Sequence, residues 1–399
     1  MASLPERFED WFAAKTWCLR PHQAAVLDSV AAGEDVLLVA PTGAGKTLAG
    51  FLPSLVALAE RPSGKLHTLY VSPLKALGTD IARNLQIPVA EMGLGISIET
   101  RSGDTPTNRR ARQKEMPPNI LLTTPESLLL LLSQENSADY FATLSCVVVD
   151  EIHALAGTKR GDQLALCISR LRAISATRVV GLSATVAHPE AMRRFVGPNA
   201  RLVLAEDGAP PEVSMVLPET EIPWSGHMGL KAAQMVLAQV EKARLSIVFV
   251  NTRAQAELIF AEIWKHNDNN LPIAIHHGSL DIAQRRKVET AMAEGRLRAV
   301  IATSSLDLGI DWGGVDQVLQ IGAPKGVSRL LQRLGRANHR LDEPSRAVLV
   351  PANRFEVLEC EAAMQGVREK ALDGDPPRRA GCAGPAYSRH GLRGAVFAG

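Results

Sequence analysis

Phosphate chemistry is written into three short stretches. In "VAPTGAGKT" (39–47) a turn with Gly43 and Gly45 leads from an apolar segment into a helical pattern. Such a turn lets backbone N–H groups converge on a phosphate at a helix N-terminus. Lys46 would reach the β- and γ-phosphates, the Thr47 hydroxyl would hold Mg²⁺, and Thr42 belongs to the same nucleotide-binding loop. Ala40 stands where the usual phosphate-loop pattern has glycine, a departure that the strand–loop–helix context offsets. In "CVVVDEIH" (146–153) a carboxylate ends a buried strand, where a divalent cation can satisfy it. Asp150 is therefore the expected Mg²⁺ ligand, through the ion's water shell. Glu151 beside it is placed to take a proton from attacking water. In "LLQRLGRANHR" (330–340) Arg333 and Arg336 lie three apart, a spacing that predicts one helix face offering both to charge that shifts during hydrolysis. Taken singly, each stretch has a plainer reading: a Gly-rich turn, an acidic helix cap, surface arginines. Together they point to ATP and Mg²⁺ as cofactors.

These residues need rigid elements behind them. Short runs without polar alternation, "DVLLVA" (35–40), "TLYVS" (68–72), "NILLTT" (119–124), "LSCVVVD" (144–150) and "RVVGLSA" (178–184), predict buried parallel strands. Helical patterns fall between them at 46–60, 74–90, 126–135 and 161–175. The stretch 206–227 interrupts the rhythm with Pro210, Pro211, Pro218 and Pro223, which reads as linker. Strand patterns then resume at 245–251, 271–277, 297–303, 315–321 and 345–350. The expected fold class is α/β, two tandem doubly wound parallel-sheet domains at 1–205 and 229–371, joined by a proline-rich linker at 206–228. The second block has no phosphate loop of its own, but it could supply arginines to the first.

Composition narrows the class. The chain has 399 residues, 46% apolar and 22% charged, the balance of a globular protein. Its longest apolar run, "SLLLLLS" (127–133), is too short for a bilayer, and the N-terminus lacks the build of a signal peptide. Cysteines 18, 146, 167, 360 and 382 form no C-x-x-C pair, which argues against a zinc site or disulfide framework and for a reducing cytoplasm. A net charge of +2 argues against coating nucleic acid by bulk charge. The one dense basic run, "TPTNRRARQK" (105–114), fits a solvated surface loop as well as a phosphate contact.

The order of motifs resembles a superfamily 2 nucleic-acid helicase. The blocks are "RPHQ" (20–23), "APTGAGKT" (40–47), "SPLKAL" (72–77), "TTPES" (123–127), "DEIH" (150–153), "SAT" (183–185), "FVNTR" (249–253), "HHGSL" (276–280), "ATSSLDLGID" (302–311) and "QRLGRA" (332–337). "SPLKALGTD", "TTPESL", "DEIHAL", "HHGSL" and "GRANHR" are similar to the Lhr (large helicase-related) branch, especially its bacterial ligase-associated DEXH-box members. His339, with Arg340 beside it, replaces a third arginine common in the superfamily, a feature of that branch. The resemblance covers residues 5–377 and implies two RecA-like domains. It also implies ATP-dependent, 3′-to-5′ movement on single-stranded DNA, unwinding of DNA or RNA–DNA duplexes, and a DNA-repair setting with repair proteins as partners.

By the same resemblance Gln23 would read the adenine edge, and Asp307 and Gly309 would meet the nucleotide. Ser183 and Thr185 would couple hydrolysis to domain motion. Pro73, Lys75, Thr124, Pro125, Thr252, Arg253, His277, Gly278 and Thr303 would line the strand path. Small and hydroxylic residues of this kind suit phosphates and sugars rather than base edges. Two rival readings stay open: a DEAD-box-like RNA remodeller, and a truncated fragment that binds ATP and DNA without unwinding. Relatives of this type continue into a winged helix and further modules. The Gly-rich tail 372–399 has no apolar periodicity and is expected to be irregular and disordered. Shifting the frame by one nucleotide from Gly381 onward permits a family-like continuation, so the tail reads as an out-of-frame scar.

Overall fold

The computed structural model describes residues 4–73, 75–206, 208–217, 223–224, 229–307, 314–337 and 343–373, with the side chains of 75–80 excepted. The expectations for Gly309, the Lys75 side chain, His339, Arg340 and the tail from 374 lie outside these residues. The chain divides into two compact units, one built on Met1–Ala40 and Gly45–Ala205, the other on Glu206–Asp373.

The first unit is a parallel seven-stranded sheet of β1 (Val36–Val39), β2 (Thr68–Val71), β3 (Ile98–Arg101), β4 (Ile120–Thr123), β5 (Cys146–Val149), β6 (Arg178–Ser183) and β7 (Arg201–Leu204). Its order is β3-β4-β2-β5-β6-β1-β7. The second unit is a parallel six-stranded sheet of β8 (Glu212–Met215), β9 (Ser246–Phe249), β10 (Ile273–His276), β11 (Ala299–Ala302), β12 (Gln317–Ile321) and β13 (Arg346–Val350), in the order β10-β11-β9-β12-β13-β8. Central strands such as β1, β2 and β5 are buried at every residue. Helices cover both faces of such a sheet, so no polar alternation survives. Among the described residues, no helix is long and apolar enough to cross a membrane.

Ten strands fall inside the segments that the sequence marks. The three that do not, β3, β7 and β8, are all sheet edges. Their burial is partial, so their residues are mixed and escape a pattern of continuous apolar runs. β8 corrects the linker reading: Glu212–Met215 lies inside 206–228 yet pairs in parallel with β13, Val213 opposite Ala347 and Met215 opposite Leu349. The prolines bracket a short edge strand rather than excluding one. The basic run at 105–114 is also corrected. It forms the helix Thr107–Glu115, tied to edge strand β3 because Arg109, Arg112 and Gln113 all donate to Glu99.

Candidate functional site

The carboxyl edge of a doubly wound sheet is where ligands bind, because the loops leaving the strands open there. In the first unit the expected nucleotide residues, apart from Gln23 on the helix before β1, lie at the ends of β1, β5 and β6 or follow them, and the expected strand-path residues follow β2 and β4. Since β2 is hydrogen-bonded to β5, the edge splits into two contiguous halves that meet at that pair.

The phosphate loop follows β1. Gly43 (φ +80°) and Gly45 (φ +76°) hold left-handed conformations that a side chain resists. A Cβ at Gly45 would also come within 2.7 Å of Gln23 Nε2. Gly45 is the N-cap of the helix Lys46–Glu60 and supplies no side-chain acceptor to its first turn. A helix start of this kind presents its first-turn N–H groups, and the positive end of its dipole, to an anion. Lys46 Nζ donates to the Ala40 carbonyl at 2.9 Å, and Thr47 sits in the first helical turn. Gln23 is buried against the loop: its Oε1 accepts from the Arg20 N–H at 3.0 Å and its Nε2 donates to the Gly45 carbonyl at 3.4 Å.

Asp150 emerges buried from β5. Its Oδ2 accepts from the Tyr70 hydroxyl at 2.5 Å and its Oδ1 from the Glu151 N–H at 2.8 Å. Burial, and then the charge of Glu151, push its pKa up to about 6. A carboxylate held this way has a deficit of positive charge, the property expected of a metal ligand. Glu151 itself sits at φ +50°, a strained conformation outside glycine. His153 follows on the same turn. The Ala184 N–H donates to its Nδ1 at 3.3 Å, so Nε2 carries the proton. That nitrogen lies 3.3 Å from Glu151 Oε2 without the alignment of a hydrogen bond. Burial, and then the charge of Lys46, lower the His153 pKa to about 4, so the ring stays neutral. Ser183 Oγ is 3.4 Å from His153 Nδ1, and this joins the "SAT" stretch to the "DEIH" stretch, while Thr185 is exposed. The residues present therefore fit a Mg²⁺-bound nucleoside triphosphate: a glycine cradle, an uncapped helix start, a lysine, a threonine hydroxyl and an under-neutralised carboxylate.

The strand-path candidates cluster by unit. In the first unit the Pro73 carbonyl accepts from Arg160, and Thr124 caps the helix Pro125–Leu132 through the Ser127 N–H. In the second unit Thr252 and Arg253 follow β9, His277 and Gly278 follow β10, and Thr303 follows β11. These three strands are neighbours, so all five residues share one stretch of carboxyl edge. Thr252 caps the helix Arg253–Lys265, Arg253 donates to Ser279 Oγ at 2.6 Å, and buried His277 pairs with Glu257 at 2.7 Å.

The arginines depart from their expected geometry. The helix Val327–Leu334 stops before Arg336, which lies in the following turn with its Nε 3.4 Å from the Gln332 carbonyl. The two arginines therefore do not share a helix face, because Gly335 ends the helix between them. Arg333 is buried within its own unit: Nε donates to Asp307 Oδ1 at 2.8 Å, Nη1 donates to Gln320 Oε1, and the guanidinium lies 4.5 Å over the Phe249 ring. Asp307 is thus turned to Arg333.

Residues 20–193 match the DEAD/DEAH box helicase family, and residues 230–340 match the helicase conserved C-terminal domain. The chain is 37% identical to the Lhr helicase/probable uracil glycosylase of Mycolicibacterium smegmatis over 89% of its own length and 27% of that protein's. It is 36% identical to ATP-dependent helicase Lhr-Core protein 2 of Thermococcus barophilus, over 93% of this chain and 46% of the relative. A solved structure of Mycobacterium smegmatis Lhr bound to single-stranded DNA and AMP-PNP superposes with a TM-score of 0.83 at 36% identity, over 93% of this chain and 50% of that one. The chain belongs to the Lhr-type helicases. It spans between about a quarter and a half of the curated relatives' length. DEAD-box Mss116, at 20% identity and TM-score 0.71, shares the tandem RecA-like fold.

Sequence reasoning missed two residues of this Lhr-type core, Tyr70 and Gln320. The signal was present in both: a tyrosine and a glutamine inside fully buried strands need partners there.

Proposed function

We propose that this chain is the motor of an ATP-dependent helicase that moves 3′-to-5′ on single-stranded DNA and serves DNA repair. The observation that carries the reading is the buried Asp150 beside an uncapped, glycine-cradled helix start, within a chain of the Lhr type. Thr47 and Asp150 would hold Mg²⁺, which when bound neutralises phosphate charge. Lys46 binds the phosphates, and Glu151 takes the proton from the attacking water. His153, neutral and anchored to Ala184, carries the state of this site to the "SAT" stretch. Arg336 meets the charge that develops during hydrolysis, and Arg333 holds Asp307 in place behind it. The strand is gripped through phosphates at the two helix starts capped by Thr124 and Thr252, with Pro73, Lys75, Arg253, His277, Gly278 and Thr303 beside them. Single-stranded DNA and duplexes bearing a single-stranded tail are the nucleic-acid partners.

ATPase assays with and without single-stranded DNA, and with single-stranded RNA as a separate arm, test the reading. Turnover stimulated by DNA and abolished in Glu151→Gln, with ATP binding retained, is the expected result. Normal hydrolysis by that variant would remove Glu151 as the base, and stimulation by RNA alone would move the chain to RNA remodelling.

A further inference from the structure

The two halves of the first unit's carboxyl edge meet at β2 and β5, and a buried polar side chain on β2 crosses that seam to the end of β5. Tyr70 on β2 stands opposite Val148 on β5, two residues before Asp150, so side-chain alternation puts Tyr70 and Asp150 on the same face. Its hydroxyl donates to Asp150 Oδ2 at 2.5 Å, in the short range of hydroxyl–carboxylate bonds. The Tyr70 hydroxyl is also hydrogen-bonded by the Ser72 side chain. Phe51, on the helix that starts at Lys46, stacks on the Tyr70 ring at 5.2 Å and 24°. Both rings are fully buried, and three elements fix the tyrosine: its own strand, the phosphate-loop helix and the end of β5.

We infer that Tyr70 is a positioning residue for the metal-binding carboxylate. It locks the Asp150 rotamer, and Oδ1, which among the described residues accepts only from the neighbouring backbone N–H, is the oxygen that would serve the ion's water shell. The inference rests on the reading of Asp150 as the Mg²⁺ ligand and adds the group that orients it. A carboxylate at the end of a strand has a free χ1 and χ2, and a ligand that must be ordered on each binding event binds more weakly than one already ordered. The tyrosine removes that freedom before nucleotide arrives. Because β2 runs on into Pro73 and the helix Lys75–Glu91, the same hydroxyl ties the expected strand-contact half of the edge to the nucleotide half.

Tyr70→Phe keeps the ring and its stacking on Phe51 while removing the hydroxyl. Two measurements read the consequence. In the first, the Mg²⁺ concentration for half-maximal ATPase is expected to rise about 5- to 10-fold, with the KM for ATP at saturating Mg²⁺ nearly unchanged. In the second, thermal melting without nucleotide or metal is followed through a cycle of wild type, Tyr70→Phe, Asp150→Asn and the double variant. The drop in melting temperature caused by Tyr70→Phe is expected to shrink by more than half once residue 150 is asparagine. Tyr140→Phe is the control, since the buried Tyr140 hydroxyl has no hydrogen-bond partner among the described residues. It should move neither readout. An unchanged Mg²⁺ requirement, or a melting drop that persists in full beside Asp150→Asn, would overturn the inference and leave Tyr70 a packing residue. A wild-type chain without ATPase but with coupled melting would instead overturn the functional reading while keeping the Tyr70–Asp150 lock.

Discussion

In the first unit a buried carboxylate, Asp150, accepts from a tyrosine hydroxyl and a backbone N–H, both neutral donors. In the second a buried guanidinium, Arg333, already holds a carboxylate, a carboxamide oxygen and an aromatic face. The two motifs read alike in sequence, as charges on a nucleotide site, but they are prepared differently. Asp150 carries a charge that Lys46 offsets only in part, and beside it Glu151 adopts a strained backbone. Arg333 has found its counter-charge inside its own unit. The first arrangement stores a cost that binding relieves, and the second stores order. Removing a charge should therefore help the apo protein in the first unit and harm it in the second.

The largest effect expected is on rate. Lys46→Ala and Glu151→Gln should each lower ATPase turnover by about 10³-fold, about 4 kcal/mol of barrier, while melting temperature changes little. Steady-state turnover beside a melting curve separates this from unfolding.

Next comes Arg333. Breaking a buried ion pair from one side leaves the other charge unpaired and costs about 3–5 kcal/mol. Arg329, 3.6 Å from Asp307 Oδ2, stays as a half-exposed second cation, so Arg333→Met should destabilise the second unit toward the lower end of that range in urea. Arg333→Met combined with Asp307→Leu should recover most of the loss, because both charges are then gone. If the single variant is as stable as wild type, the Arg333–Asp307 pair does not stabilise the second unit.

Asp150→Asn should act in the opposite direction. Folding raises the Asp150 pKa to about 6 from an ordinary value of 3.8. Protonated at pH 4, the group costs little. As pH rises through 6 it ionises in the folded state and stability is lost, by up to about 3 kcal/mol. The apo asparagine variant should thus melt higher than wild type at pH 7.5, and the gap should narrow as pH falls below 6 and close below about 3.8. Melting at several pH values checks the sign, and ATPase should be lost although the fold is firmer.

Much of this is legible in the sequence. Runs such as "CVVVD" announce strands because a parallel sheet covered on both faces admits nothing else, and the glycines at 43 and 45 announce a turn that side chains resist. β3, β7 and β8 were hidden because an edge strand tolerates the residues of a loop. The pairing of Arg333 was hidden because spacing along a helix says nothing about where the helix stops. Gly335 ends it, and a partner 26 residues upstream then decides the geometry.

The smallest effects concern two threonines that the family resemblance places on the strand path. Thr124 and Thr252 are both N-caps, and each accepts one first-turn N–H, from Ser127 at 3.4 Å and from Gln255 at 3.1 Å. A cap of this kind is worth about 1 kcal/mol, so alanine at either position should lower stability by that amount. The environments differ: Thr124 is buried, its hydroxyl also bonded to the Ser127 side chain, whereas Thr252 is exposed. If both threonines meet phosphates, alanine should weaken DNA binding by more than the loss of a cap explains, and Thr→Ser, which keeps the cap, should restore it at both. If Thr124 is only a cap, Thr124→Ala should melt lower yet bind single-stranded DNA as wild type does, while Thr252→Ala weakens binding. Fluorescence anisotropy on a labelled oligonucleotide, measured well below the melting temperature of each variant, separates the two outcomes. It also decides whether the first unit grips the strand through this helix start or only through the neighbouring end of β2.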